Sequence, residues 1–188
     1  MALKTTVKVS GVNNLSNARY CAGMGVDLLG FDMDTLPLEQ FNEIKNWVAG
    51  VKIVGETNAD SIEVLIEKLN QYKPDLVELN SKSLAEALLT LNNIPVILKY
   101  ASESSIVDLP KNVKYVLSNN SLTDLEVFKN LDKSIPTLLI SDELYDKNLV
   151  DSTAKNIGIF LIADQEERPG YSNFENIMEI LESLEIDD

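Results

Sequence analysis

Short apolar runs recur along this chain, separated by amphipathic stretches. The runs are TTVKV (5–9), LLGFDM (28–33), VKIVG (51–55), LVELN (76–80), PVILK (95–99), VKYVL (113–117), PTLLI (136–140) and IGIFL (157–161). They are brief and rich in Val, Ile and Leu, the pattern of strands covered on both faces in a parallel sheet. The clearest helix between them is SIEVLIEKLNQY (61–72), with Ile62, Leu65, Ile66 and Leu69 on one face. Asn58 or Asp60 is placed to cap it, and Glu63 stands at the offset of a capping box from Asp60. PLEQFNEIKNWV (37–48) opens on a proline, which suits a first helical turn, and turns Phe41, Ile44 and Val48 inward. SNFENIMEILESL (172–184) carries the last stripe, Phe174, Ile177, Ile180, Leu181 and Leu184. The weakest segment is ASESSIVDLP (101–110), which has room for little more than one turn.

Eight strand-and-helix units at a spacing of a little over 20 residues predict a closed (β/α)8 TIM barrel, an α/β fold formed by residues 1–188 as one domain. An open doubly wound sheet has similar strands. No GxGxxG follows the first strand, so a dinucleotide-binding version of that sheet is disfavoured.

Composition narrows the chemistry. Thirty acidic against 16 basic residues give a formal net charge of -14, which argues against a nucleic-acid partner or an anionic membrane surface. No apolar run is long enough to span a bilayer, and the start lacks the pattern of a signal peptide. A single cysteine excludes a disulfide framework and points to a reducing, cytoplasmic setting. The absence of histidine removes the usual general base near neutral pH and any His-dependent triad or zinc motif. No cofactor or metal motif is present. The expected partner is a small molecule, and the expected state a monomer or homodimer.

Candidate chemistry starts at VKVSGVNN (7–14), where a strand runs into Ser10, Gly11 and two asparagines. Lys8 lies two residues before Ser10 and so shares its face of the strand. Asn13 and Asn14 are placed to build the turn or cap the next helix, and Gly11 is read as a point of close backbone packing. Cys21, inside the first helix of NLSNARYCAGMGVDLLGF, is read as a packing residue. Asp32, Asp34, Glu56, Glu78, Asp142, Glu143 and Asp164 follow or end strands, so an acidic mouth is expected at the C-terminal end of the barrel.

VKVSGVNNLSNARYCAGMGVDLLGF, the middle stretch VKIVGETNADSIEVLIEKLNQYKPDLVELN and the ending ADQEERPGYSNFENIMEILESL, with Arg168-Pro169-Gly170, resemble the phosphoribosylanthranilate isomerases of tryptophan biosynthesis. That resemblance implies a small barrel with a cysteine base ending the first strand and an aspartic acid ending the sixth. It also implies an arginine after the second strand and phosphate-binding amides after the seventh and eighth. Here the base position carries Ser10 and the acid position Ser118. DMDTLPLEQ replaces the arginine loop, Glu78 and Asn80 stand where the family usually has glutamine and histidine, and Asp142 and Glu143 replace a glycine pair.

A hydroxyl without a neighbouring base neither accepts nor donates a proton efficiently near neutral pH. Two classes of function follow. One is a barrel that has lost the isomerase reaction and binds or regulates through a small molecule. The other is an enzyme, either an isomerase with displaced catalytic groups or one with new chemistry at the acidic mouth. The candidate ligand contacts are Lys8, Asp32, Glu56, Glu78, Asn80, Lys99, Asp142 and Asp164.

Overall fold

The computed structural model describes residues 2–99, 108–118, 137–141, 157–163 and 175–186. Its strands are β1 (Val7–Ser10), β2 (Leu28–Asp32), β3 (Lys52–Glu56), β4 (Leu76–Leu79), β5 (Val96–Lys99), β6 (Val113–Ser118), β7 (Thr137–Ser141) and β8 (Ile157–Ile162). The described helices are α1 (Leu15–Gly23), α2 (Leu38–Lys45), α3 (Ile62–Tyr72), α4 (Lys82–Leu91) and α5 (Glu175–Ser183). Every neighbouring pair of strands is parallel, and β1 also pairs with β8, so the sheet closes on itself. This is the (β/α)8 barrel, and the open sheet is excluded. Each predicted run becomes a strand, with its ends moved by a residue or two.

Strand alternation divides the barrel into two apolar layers. Outward-facing residues such as Val7, Val9, Leu29, Phe31, Val77 and Leu98 pack against the helices through Phe41, Leu65, Leu88 and Leu181. The lumen has its own cluster, formed by Leu28, Val54, Leu76, Ile97, Leu117, Leu139 and Phe160. The lower lumen is thus filled by side chains, as expected of a barrel of this size.

Local signals explain most helix ends. Asn14 caps α1 through its Oδ1, which accepts from the Asn17 amide at 2.8 Å. The cap of α3 is Ser61, whose hydroxyl accepts from the Val64 amide. Neither Asn58 nor Asp60 holds that position, because the helix starts one residue later than the Asp60–Glu63 spacing requires. Lys73 ends α3 in the left-handed region at φ 49°. Phe41 and Ile44 of α2 are buried as its periodicity predicts, and Val48 packs on the core from beyond the helix end. Ile177, Leu181 and Leu184 are buried at the last helix, while Phe174 and residues 101–107 of the weak segment lie outside the described residues.

Candidate functional site

Above the apolar cluster, the lumen becomes polar. Lys8 is completely buried, and its Nζ donates to Glu56 Oε1 and to Ser10 Oγ. The same ammonium lies 2.8 Å from Glu78 Oε2 in a second ion pair. The other oxygen of Glu78 is 3.0 Å from Lys99 Nζ, and Glu56 Oε2 accepts the Gly11 amide at 3.1 Å. Two ammonium and two carboxylate groups from four strands thus form one network at the C-terminal end of the barrel, where barrel sites are built. Lys8 and Glu78 are shielded from water, whereas the Lys99 side chain is 39% exposed.

Burial opposes the charge on both enclosed members, and pairing outweighs it. Desolvation pulls Lys8 toward deprotonation, but Glu78 and then Glu56 hold its pKa above the ordinary lysine value. Desolvation likewise opposes ionised Glu78, but Lys8 and then Lys99 hold its pKa below the usual carboxylate range. Lys8 is therefore an ammonium that donates a hydrogen bond to Ser10. It has no lone pair with which to take the serine proton.

Two glycines make this arrangement possible. A Cβ on Gly30 would lie 2.0 Å from Glu56 Oε1 and 3.1 Å from Lys8 Nζ, so β2 gives up a side chain to make room for the pair. Gly11 has φ +69°, a conformation that favours glycine, and nothing lies within 4 Å of the position its Cβ would take. The expectation of close backbone packing at Gly11 is thereby corrected: its role is the turn that aims its amide at Glu56. Sequence reading did not single out Gly30. The available signal was a glycine in the middle of the apolar run LLGFDM.

The other candidate residues separate. Asp32 ends β2 and closes its own turn, accepting from the Asp34 amide at 2.8 Å and the Thr35 hydroxyl at 2.7 Å. Asp34 joins that turn to the loop after β3, accepting from Thr57 Oγ1 at 2.6 Å and the Asn58 amide at 2.8 Å, with Lys68 at 3.2 Å. Asn80 is exposed just beyond β4. Ser118 is buried at the end of β6, but alternation sets it on the opposite face from Leu117, which belongs to the lumen cluster. Its register partner is Ile140, a member of the outer layer. Ser118 is therefore not brought together with Ser10 and Lys8. Cys21 is buried with its thiol pushed up to about 12 by desolvation, in keeping with a packing role. Asp142, Glu143 and Asp164 lie outside the described residues.

The acidic mouth expected from the sequence is therefore not what the described residues build. Glu56 and Glu78 are balanced by Lys8 and Lys99, while Asp32 and Asp34 are engaged in their loops. Among the described residues, no three potential metal-ligating side chains converge. Beside the network, the loops after β1 and β2 enclose a cavity of about 540 Å³, lined by Gly11, Asn13, Asn14, Asp32, Thr35 and Gln40 among others. This volume is within the range of small-molecule sites.

No family model matches the chain, and no curated protein does. Solved structures do. The phosphoribosyl anthranilate isomerase of Thermus thermophilus is 18% identical, with a TM-score of 0.72 over 96% of this chain and 98% of that one. The N-(5'-phosphoribosyl)anthranilate isomerase of Pyrococcus furiosus is 16% identical, with a TM-score of 0.71 over the same shares. A truncated 3-deoxy-D-arabino-heptulosonate 7-phosphate synthase from Thermotoga maritima gives 14% and 0.63, over 95% of this chain and 84% of that one. The likeness is one of fold. Proteins with different named activities share it, so the choice of chemistry rests on the residues of the site. Among the described residues, no helix is long and apolar enough to cross a membrane.

Proposed function

We propose that this chain is a phosphoribosylanthranilate isomerase-like barrel that has lost the isomerase reaction and binds a small molecule at the C-terminal end of its lumen. One observation carries the reading: the ammonium of Lys8, held by Glu56 and Glu78, donates to the hydroxyl of Ser10. The serine at the base position thus faces a protonated donor. Removing a positioned acid or base commonly costs about 100- to 10,000-fold in rate. Ser118, at the implied acid position, is on the far face of its strand. Binding has better support, because Lys99 reaches solvent and a cavity of small-molecule size is lined by Gly11, whose amide donates to Glu56.

The test is a direct isomerase assay on the purified protein with phosphoribosylanthranilate, paired with complementation of a strain lacking that activity. The expected result is no turnover above background and no growth. Turnover abolished by Ser10→Ala would overturn the proposal in favour of a working isomerase with displaced groups. A thermal-shift screen of small anionic and zwitterionic metabolites should raise the melting temperature of the wild type and less that of Lys99→Ala.

A further inference from the structure

A cavity of about 360 Å³ lies on the outside of the barrel, where the start of α1 meets α2. Small-molecule sites begin at roughly 300 Å³, so the space can hold a small ligand. Leu15 and Ile44 give it apolar walls, Asn14 and Gln40 border it, and Glu43 and Trp47 complete it. Trp47 is the one tryptophan of the chain and is 68% exposed, although Ile44 and Val48 on either side of it turn onto the core. Tryptophan is on average a well-buried residue, so an indole left in water beside a hollow calls for an explanation.

The ionised side chains at this cavity have one sign. Glu43 is the only charged residue in its wall, and among the described residues no cation lies within 4 Å of its carboxylate. The neighbouring cations are directed elsewhere or stand outside the wall. Lys45 lies 5.5 Å over the Phe41 ring and donates to the Lys73 carbonyl at 2.8 Å. Arg19, one turn along α1 from Leu15, is exposed and does not line the cavity. The start of α1 and the end of α2 both border the space, so their opposite partial charges offset each other. The amide nitrogens already have partners: Asn14 Nδ2 donates to Asn13 Oδ1 at 3.0 Å, and Gln40 Nε2 donates to the Asn13 carbonyl at 2.7 Å.

A carboxylate, an accessible indole and two aliphatic side chains suit a cation with an apolar shell. Indole attracts cations more strongly than the other aromatic side chains, and a quaternary ammonium group asks for no hydrogen-bond acceptor. We infer that this cavity is a binding site for a small organic cation of the quaternary ammonium type, held between the Trp47 indole and the Glu43 carboxylate. The cavity shares Asn14 and Gln40 with the larger one beside the lumen network, but Glu43 and Trp47 line the smaller one and not the larger. Binding here is therefore independent of the function proposed above.

Choline is a suitable probe, and the uncharged alcohol in which carbon replaces its quaternary nitrogen is the control of equal shape. Titrated into the full chain against sodium chloride of equal ionic strength, choline should change the fluorescence of Trp47 saturably. The carbon isostere should bind about fivefold more weakly, the scale expected for an exposed cation–π contact together with one solvent-exposed charge contact. Glu43→Gln should weaken choline about threefold and leave the isostere unchanged. Glu43 is exposed on α2, so this variant should melt with the wild type, and the comparison of the two probes on the wild type needs no variant. Absence of saturation, equal affinity for the two probes, or an equal loss of both in Glu43→Gln would each overturn the proposal.

Discussion

Two clusters of lysine and carboxylate lie near the C-terminal end of this barrel, and they differ in what surrounds them. In the lumen, Lys8, Glu56, Glu78 and Lys99 form a network whose central ammonium is sealed from water. On the surface, Lys68 and Asp34 pair at 3.2 Å, with 23% and 26% of their side chains exposed. The residue types are the same, and the consequences are not. A surface ion pair contributes little, because water solvates either partner when the other leaves. A buried pair cannot lose a partner without leaving a charge in an apolar enclosure.

The largest effect should come from Lys8→Met, which removes the shared cation from Glu56 and Glu78. A loss of about 3 kcal/mol is expected. In a chain of this size that is a fall of about 6–12 °C in melting temperature, readable by calorimetry. Lys8→Met combined with Glu56→Gln and Glu78→Gln should recover most of that loss, since no enclosed charge is then orphaned. If the triple variant melts no higher than Lys8→Met, the cost lies in packing and the contrast between the clusters fails.

Gly30→Ala should come next, at about 1–3 kcal/mol. Its methyl would displace Glu56 from Lys8, and a chemical denaturation midpoint should report it. Acid provides a gentler probe. Because the Glu78 pKa is lowered in the fold, its stabilising share is complete above the unfolded value near 4.5 and is lost as pH falls through the lower folded value. The urea midpoint of the wild type should therefore drop from about pH 5 downward more steeply than that of Glu78→Gln. Asp34 shifts in the same direction, with its burial opposed by Thr57, Asn58 and Lys68, and Asp34→Asn provides the surface comparison. The smallest effect should be that of Lys68→Ala, within about 1 kcal/mol by the same denaturation measurement.

The sequence makes the barrel legible and the site only partly so. Eight Val- and Ile-rich runs at regular spacing lead to one closed sheet because hydrophobic period and connection length are local properties. Pairing of side chains across a lumen is not local. Lys8 and Glu56 are 48 positions apart and meet only when β1 and β3 flank Gly30. Sequence reading placed Lys8 beside Ser10 through the alternation of a strand, and the two are in contact. It gathered Glu56 and Glu78 with the loop aspartates as an acidic mouth, because charge counted along a chain does not reveal which cation will fold against which anion. The same alternation that aligned Lys8 with Ser10 sets Ser118 apart from Leu117. Applying the period to the sixth strand required knowing which of its residues filled the lumen.

Closure of the sheet has a consequence for how the chain reaches this state. β1 is completed by β8, and the Thr5 hydroxyl is bonded to the Ile157 carbonyl across 152 positions of sequence. A polypeptide ending before Ile157 would leave β1 and β7 with bare edges, open to pairing with other molecules. Assembly should accordingly be slow and governed by the last strand. Shortened fragments should collect as aggregates, whereas the whole chain should fold cooperatively.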